Sequence, residues 1–285
     1  MSEPASQYTF GDSPVARERL ELLGAVFDSP SRAFLARSVL RPPALAADLG
    51  CGPGRTTRMV HEATGAHRTM GLDRSPEFVA AAREQAVDGI DYHLWQARDP
   101  LPGDAPDLIY ARLLLAHLPQ PAELVSRWAG QLSQGGQLLV DEVERIETGN
   151  AAFREYLAMT TALVRAGGAE MFAGPLLARL PLASHCELSD DRVVSLAVPP
   201  AVAARMFYLN LTVWGGAPWV IATYGPQTVA RVGEDLLRIS AGGAAAGITW
   251  KMRQIVVRSL GRRRYADRRG GADDAPAGLA RDDRG

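Results

Sequence analysis

A glycine-rich turn between an apolar segment and a helical pattern constrains this chain most strongly. The apolar residues 44–49 are typical of a buried parallel strand, and a helical pattern begins near Thr56. Between them lie Gly50, Gly52 and Gly54. Glycines suit such a turn because a ligand can approach the backbone closely and because some turn positions need positive φ. A strand, a turn and a helix in this order predict an α/β sheet with a ligand site at the carboxyl end of its first strand.

Two acidic residues accompany the turn. Asp48 lies two residues before it, and Asp73 lies 19 residues after Gly54, at the end of a second strand-like segment, residues 69–72. An acid about 20 positions after such a turn is placed to accept hydrogen bonds from ribose hydroxyls. The spacing is G-x-G-x-G, whereas the NAD-type pattern G-x-G-x-x-G would place a glycine where this chain has Arg55.

With these motifs the chain resembles the class I S-adenosylmethionine-dependent methyltransferases. The matching segments are residues 48–54 (Asp-Leu-Gly-Cys-Gly-Pro-Gly), 71–73 (Gly-Leu-Asp) and 107–112 (Asp-Leu-Ile-Tyr-Ala-Arg). The resemblance covers roughly residues 8–260 and is closest to the bacterial branch that methylates small molecules, often in secondary metabolism. It implies S-adenosyl-L-methionine as the cofactor.

The order of segments predicts the fold class. Strand-like and helical segments alternate from residue 44 to residue 144, which favours a doubly wound parallel sheet. We expect an α/β, Rossmann-like, mostly parallel seven-stranded sheet with a helical cap over its carboxyl edge; the antiparallel closing strand is implied by the resemblance. We predict one methyltransferase domain over residues 1–260 and a disordered tail over residues 261–285. Its parts are N-terminal helices at 14–40, a core at 44–144, cap helices within 150–240, and closing strands near 192–198 and 248–257.

Composition argues against several classes of protein. The net charge is −1, so no overall field attracts nucleic acid or anionic membrane. The two cysteines, Cys51 and Cys186, are too few for a disulfide framework or a cysteine-rich metal site. No apolar run of about 18 residues and no signal-peptide pattern is present. We therefore expect a cytoplasmic enzyme with a small-molecule acceptor and without nucleic-acid, membrane or metal binding; the oligomeric state stays open, a homodimer being one alternative.

The resemblance implies cofactor-binding roles for residues of the turn and of the next two strands. Asp48, Gly50, Cys51, Gly52 and Gly54 would meet the amino-acid end of the cofactor, and Asp73 would bind its ribose. The other implied contacts are Arg74, Gln96, Ala97 and Arg98 around the adenine, Tyr8 or Phe10 against the sulfonium, and Arg112 near the carboxylate.

Several of these positions have a second interpretation. Tyr8 and Phe10 could instead anchor the first helix. Arg98 could be a surface arginine, with Asp99 binding the adenine in its place. Arg112 could fix a helix end.

Methyl transfer from a sulfonium is an in-line displacement with an activated leaving group, so the protein mainly orients the reactants, excludes water and makes the acceptor nucleophilic. His117 follows the fourth strand, and an ordinary imidazole pKa near 6.5 suits a general base. In its apolar surroundings it could instead cap or pack. Glu142 and Glu144, at the end of the fifth strand, are rival bases.

Large apolar residues in the predicted cap indicate the acceptor pocket, because small-ligand sites are mostly apolar with a few polar groups. We expect the methylated atom to be an O or N atom of a small, largely apolar, aromatic or polycyclic metabolite in natural-product biosynthesis. The candidate pocket residues are Tyr156, Met171, Phe172, Phe207 and Trp214.

Three alternatives stay open. An NAD-type oxidoreductase would share the fold, but it predicts a third glycine at position 55 and a catalytic pair such as Tyr-x-x-x-Lys, whereas the single lysine is Lys251. The others are a cofactor-binding protein without catalysis and a methyltransferase for RNA or protein, which usually needs a basic groove or an added recognition domain.

Overall fold

A computed structural model describes residues 14–260, and the part of the chain it describes folds around one mixed β-sheet. The strands are β1 Leu45–Leu49, β2 Arg68–Asp73, β3 Ile90–Leu94, β4 Leu108–Arg112, β5 Gln137–Thr148, β6 Cys186–Val198 and β7 Ile248–Ser259. The α-helices are α1 Pro14–Ser38, α2 Arg55–Thr64, α3 Pro76–Arg83, α4 Pro121–Ala129, α5 Ala151–Ala166, α6 Pro200–Trp214, α7 Pro218–Tyr224 and α8 Pro226–Ser240. Two 3₁₀ turns occupy Leu115–His117 and Gly174–Ala178.

The sheet confirms the predicted fold class. Its strand order is β3-β2-β1-β4-β5-β7-β6. The first five strands in this order are parallel, and β7 pairs antiparallel with both β5 and β6. The chain proceeds outward from β1 in one direction and from β4 in the other, so the order reverses between these two strands. Ligands of open α/β sheets bind outside the carboxyl ends of the strands at such a reversal.

Both faces of the central strands are covered, as a parallel sheet requires. On one face Ile109 and Ala111 of β4 pack with Trp128 of α4, and on the other Tyr110 packs with Phe34 of α1. All five side chains are fully buried. The turn that follows β1 is therefore held between rigid, packed layers.

The N-terminal region differs from the prediction. Two helices were expected, but α1 is continuous from Pro14 to Ser38 with Pro30 inside it. Proline removes one backbone hydrogen bond from a helix. Here tertiary contacts favour continuity, because Phe27, Ser31 and Leu35 on either side of it are buried and Ser31 Oγ donates to Asp141 Oδ2 at 2.8 Å.

The antiparallel edge is longer than the sequence indicated. β6 begins at Cys186 instead of near residue 192, and β5 extends to Thr148. The first half of β6 contains Glu187, Asp190 and Asp191, and most of it is exposed. Charged residues are common on an exposed edge strand and hide the alternation that reveals a strand.

Helices after β5 form the expected cap. Phe153 and Tyr156 of α5, Phe207 of α6 and Leu236 of α8 form one buried cluster with Trp250 of β7. α7 is a further short helix of the cap and packs against α8. Tyr8, Phe10 and the tail 261–285 lie outside the described residues. Among residues 14–260, no helix combines the length and apolarity that a bilayer crossing requires.

Candidate active site

A cavity of about 1590 Å³ opens at the carboxyl edge of the sheet, where the strand order reverses. Its wall has two parts. We call the first the turn side; it comprises the glycine turn and the ends of β2 and β3. We call the second the aromatic side; it comprises the middle of β5 and residues of α1, α5, α6 and β7.

The glycine turn has a backbone that other residues could not easily adopt. Gly50, Gly52 and Gly54 have φ of 70°, 52° and 88°. The Gly50 amide donates to Leu72 O at 2.8 Å, which fixes the turn to β2. A Cβ added to Gly54 would lie 2.6 Å from Tyr92 Oη. Gly50 and Gly52 line the cavity, so their backbone is open to a bound ligand, whereas Gly54 packs against Tyr92 behind them.

Asp73 lies at the end of β2 and on the cavity wall. One carboxylate oxygen accepts from the Gly52 amide and the other from the Ser75 amide, each at 2.9 Å. Burial raises the pKa of this carboxyl group, and these backbone hydrogen bonds oppose the shift. A carboxylate offers about four acceptor positions, so Asp73 can still accept two hydroxyl hydrogen bonds.

Asp48 lies behind the turn and is absent from the cavity wall. It is fully buried; its Oδ2 accepts from Thr57 Oγ1 at 2.8 Å, and its Oδ1 has no hydrogen-bond partner among residues 14–260. Burial raises its pKa to about 7. Asp48 therefore supports the turn from behind, and its contact with a cofactor stays a prediction. Gly54 is likewise a supporting residue that lies off the wall.

The segment after β3 forms the remainder of the turn side. Trp95, Gln96, Ala97 and Arg98 line the cavity, whereas Asp99 does not. Arg98 donates to Gln120 Oε1 at 2.7 Å in an exposed position. Arg74 and Cys51 also lie on the wall. The structure thus brings these predicted residues together, and their contact with a cofactor stays a prediction.

Arg112 lies on the wall and ties α1 to the core. It donates to Asp28 Oδ1 at 3.0 Å and to Ser31 Oγ at 3.2 Å. Asp28 Oδ2 also accepts from Arg55 Nε at 2.8 Å. Asp28 therefore bridges two arginines next to the turn, which agrees with the interpretation that Arg112 fixes a helix.

His117 is on the wall, but its environment differs from the one a general base needs. Burial lowers its pKa to about 3, and the charges of Arg19 and Arg74 contribute. The imidazole is consequently neutral at physiological pH but a weak proton acceptor. The sequence-based prediction used an ordinary pKa near 6.5. The pKa in the structure is lower because the side chain is desolvated.

Glu142 lies on the aromatic side, in the middle of β5 and just after the last residue that pairs with β4. It is fully buried, and its Oε1 accepts from the Leu114 and Leu115 amides at 2.7 Å each. Its Oε2 has no hydrogen-bond partner among residues 14–260. Burial raises its pKa to about 8. Glu144 lies off the cavity wall and pairs with Arg253 Nε at 2.8 Å.

Aromatic rings make up much of the aromatic side. Tyr156 stacks on Phe207 with centroids 4.3 Å apart, and Phe207 lies 5.7 Å from Trp250. Phe27 of α1 meets Trp250 edge-on at 6.2 Å. Asn210 Nδ2 donates to the Tyr156 hydroxyl at 3.0 Å. The result is a flat-walled apolar space with a few polar atoms.

Two of the five predicted pocket residues lie elsewhere. Tyr156, Met171 and Phe207 line the cavity, whereas Trp214 and Phe172 do not. Trp214 packs behind Tyr156, at 5.8 Å between ring centroids. Phe172 lines a separate shallow depression beside α5. Helical spacing does not distinguish the wall of a cavity from the core behind it.

Sequence reasoning missed many wall residues, among them Phe27, Leu113, Asn210 and Trp250. Leu113 has φ of 53°, a strained conformation that follows β4 directly and leaves no mark in the sequence. Asn210 offered a usable signal, because it is a lone amide between Leu209 and Leu211 in an apolar helix. Within residues 14–260, no group of three or more His, Cys, Asp or Glu side chains is arranged to hold a metal ion.

Comparison with known proteins agrees with this geometry. A family model described as "Methyltransferase domain" matches residues 47–140, from β1 to β5. Residues 47–140 are thus similar to a methyltransferase domain. The resemblance and the fold predicted from the sequence are confirmed.

Two similar curated proteins are trans-aconitate 2-methyltransferases. One, from Methylobacterium radiotolerans, is 34% identical over 159 residues, which is 56% of this chain and 61% of that protein. Another, from Escherichia coli, is 37% identical over 115 residues, 39% of this chain and 44% of that protein. The chain thus matches less than two thirds of the length of either relative.

Solved structures share the fold at low identity. The cyclopropane synthase MmaA2 from Mycobacterium tuberculosis has a TM-score of 0.51 and 15% identity, covering 81% of this chain and 83% of that one. The YcgJ protein from Bacillus subtilis has a TM-score of 0.51 and 16% identity, covering 82% of this chain and 100% of that one.

The methyltransferase domain implies S-adenosylmethionine as the cofactor, and the turn side fits it. Asp73 keeps two acceptor positions for ribose hydroxyls, and positive-φ glycines open the backbone to the methionine end. The carboxyl-edge cavity is large enough for a nucleoside and a second molecule, since small-ligand sites span roughly 300–1,000 Å³.

Proposed function

We propose that this chain is an S-adenosylmethionine-dependent methyltransferase that acts on an O or N atom of a small, largely apolar acceptor with an aromatic or polycyclic body. The observation that carries this proposal is the continuity of one cavity from the turn side to the aromatic side. A donor bound at the turn and an acceptor bound among the rings would share that space without intervening protein.

The turn side would hold the cofactor. Asp73 would accept the ribose hydroxyls, Gly50 and Gly52 would approach the methionine portion, and residues 96–98 would surround the adenine. When bound, the cofactor supplies an activated methyl group. The protein's contribution is orientation, which can lower a barrier by about 7–11 kcal/mol, and exclusion of water.

The aromatic side would hold the acceptor. Tyr156, Phe207 and Trp250 offer planar faces, and stacking on such rings contributes about 0.5–1.5 kcal/mol per pair beyond area burial. The apolar rings of the aromatic side and the net charge of −1 support a small molecule as the acceptor more than a nucleic acid or a membrane. A role in natural-product biosynthesis belongs to this proposal as well.

A carboxylate acceptor is a second candidate. The similar curated proteins are named for trans-aconitate, an anion. Arg19 of α1 lies on the cavity wall and is 6% exposed, and its charge acts on both His117 and Tyr156. A cation in that position would favour an acidic acceptor over a cationic one.

Titration calorimetry and product analysis test the proposal. We expect the chain to bind S-adenosylmethionine with a micromolar dissociation constant and to bind NAD at least 100-fold more weakly. Incubation with extracts and with panels of aromatic and carboxylic compounds should give products heavier by one methyl group. Absence of S-adenosylmethionine binding at millimolar concentration would defeat the proposal, and preferential NAD binding would favour the oxidoreductase alternative.

A further inference from the structure

Glu142 has a position that the cofactor site does not use. It lies in the middle of β5, and β1 and β4 separate this strand from β2, which ends at Asp73. Val143, beside it on β5, also lines the cavity. Because the proposed function places the donor at the turn, a ligand group near Glu142 would come from the acceptor.

The two oxygens of this carboxyl group have different surroundings. Oε1 accepts two backbone hydrogen bonds of 2.7 Å, from Leu114 and Leu115, so the group cannot rotate freely. Oε2 is buried and has no hydrogen-bond partner within residues 14–260. A buried polar atom without a partner is costly, at about 1–3 kcal/mol, and a ligand that supplies the missing partner removes this cost.

We infer that Glu142 is a catalytic residue whose Oε2 accepts the proton of a hydroxyl group on an aromatic acceptor. This inference rests on the proposed function. As the acceptor oxygen forms its bond to the methyl carbon, the C–S bond breaks and its electron pair stays on the sulfur, which leaves as a neutral thioether. The hydroxyl proton moves to Oε2, and the carboxylic acid later loses it to solvent.

The arginines near Glu142 are paired with other carboxylates. Arg253 is opposite Glu142 in the β5–β7 register, but its guanidinium is paired with Glu144 and Asp191. Arg112 at the end of β4 is paired with Asp28. Asp141 on the same strand is the titratable group whose charge acts on Glu142. His117 after β4 and Tyr156 of α5 are titratable groups on the same cavity wall.

The proton affinities agree with this assignment. Burial raises the pKa of Glu142 to about 8, with Asp141 adding to the shift, whereas burial lowers that of His117 to about 3. A general base works best when its pKa is near the working pH. Tyr156, with a pKa raised by burial to about 12, keeps its proton and can only donate or accept a hydrogen bond.

The test uses the full chain with S-adenosylmethionine and a panel of hydroxylated aromatics that includes 2-naphthol. The matched acceptors are the corresponding carboxylic acids, including 2-naphthoic acid, which need no base because they are already ionised. Glu142→Gln should lower kcat/KM for hydroxylated acceptors by about 10²–10⁴-fold. Its affinity for S-adenosylhomocysteine should change less than threefold, which also shows that the variant is folded.

Glu147→Gln is the matched control, because Glu147 lies on the same strand but is exposed and off the cavity wall. Its kcat/KM should change less than threefold. Glu142→Asp, which keeps a carboxyl group, should retain more activity than Glu142→Gln.

The pH profile gives a readout that a structural role would not move. Glu142 must be ionised to accept a proton, so wild-type kcat/KM should fall tenfold per pH unit below about pH 8 and level off above it. In Glu142→Gln the break near pH 8 should be absent, because the residual activity then follows ionisation of the acceptor hydroxyl itself. A wild-type profile that is flat or that falls above pH 8 would overturn the inference even if the variant fails to fold.

Failure of this inference can be separated from failure of the proposed function. A wild-type chain that binds S-adenosylmethionine and methylates carboxylic acids, but no hydroxylated aromatic, overturns the inference and leaves the proposed function in place. A wild-type chain that does not bind S-adenosylmethionine defeats both. Equal activity of wild type and Glu142→Gln on 2-naphthol would also contradict the role of Glu142.

Discussion

The turn side and the aromatic side of the cavity are built in different ways. On the turn side the backbone carries the geometry: three glycines with positive φ, and amide hydrogen bonds that fix the turn to β2. On the aromatic side the geometry comes from side chains such as Phe27, Tyr156 and Trp250, which are far apart in the sequence. A local backbone conformation can be recognised in one sequence, whereas a wall assembled from distant elements cannot.

The carboxyl groups on the two sides, Asp73 and Glu142, also differ in how the backbone holds them. Asp73 has each of its oxygens on a backbone amide, which leaves a defined pair of acceptor positions. Glu142 has both of its amide contacts on one oxygen and none on the other. The arrangement at Asp73 suits the binding of a ligand group that does not react, such as a ribose hydroxyl. The arrangement at Glu142 suits the acceptance of a proton.

The largest expected effect is on the turn side. Asp73→Ala should lower the affinity for S-adenosylhomocysteine by about 100-fold or more, because hydrogen bonds to a charged group contribute about 1.5–3 kcal/mol each. Calorimetry measures this directly. Asp91→Ala is the control, since Asp91 is an exposed acid on β3 whose pairing with Arg68 is at 3.6 Å; its affinity should be unchanged. Equal losses in both variants would contradict the ribose assignment.

The next effect concerns the stability of the turn. Gly54→Ala should lower the free energy of unfolding by about 1–3 kcal/mol, because alanine is strained at φ of 88° and its Cβ would meet Tyr92 Oη at 2.6 Å. Gly135→Ala separates the two causes, since Gly135 has φ of 79° but no atom within 4 Å of an added Cβ. Denaturant unfolding should show a smaller loss for Gly135→Ala; equal losses would mean that the close approach to Tyr92 is unimportant.

A third variant should affect the aromatic side alone. Phe207→Leu should raise KM for an aromatic acceptor about tenfold, because it removes the ring that stacks on Tyr156, and should leave the affinity for S-adenosylhomocysteine within twofold. Phe34→Leu is the control, because it removes a buried aromatic ring of the core that lies away from the cavity. If Phe207→Leu weakened the cofactor as much as the acceptor, the two sides would not be separate sites.

The smallest effect is expected at the rim of the turn side. Arg98→Ala should change the affinity for S-adenosylhomocysteine less than threefold, because Arg98 forms an exposed hydrogen bond with Gln120. Arg127→Ala, on the exposed face of α4, provides the baseline. A loss above tenfold in Arg98→Ala alone would show that its guanidinium covers the adenine.

The sequence was sufficient for features that depend on local pattern. The turn at residues 50–54, the acid at position 73 and the alternation of strands and helices all follow from short-range spacing, and the sheet confirms the fold class. The continuity of α1 could not be foreseen, because the burial of Ser31 and Phe34 against the sheet outweighs a proline that predicts a break.

The site required coordinates where the relevant quantity is burial. His117 and Glu142 were both candidate bases from their positions after β4 and on β5. Desolvation moves their pKa values in opposite directions, down for the imidazole and up for the carboxyl group. Sequence spacing does not show how deeply either side chain is buried. It also does not show that one oxygen of Glu142 lacks a hydrogen-bond partner. The same limit applies to Trp214, which lies behind the wall and not on it.

A crystal structure of the chain with S-adenosylhomocysteine would test the central claim most directly. We predict that both ribose hydroxyls lie within hydrogen-bond distance of the Asp73 carboxylate and that the sulfur faces the aromatic side, toward Glu142 and Phe207. A ribose bound away from Asp73, or a sulfur directed away from the rings, would contradict the claim that one cavity joins donor and acceptor.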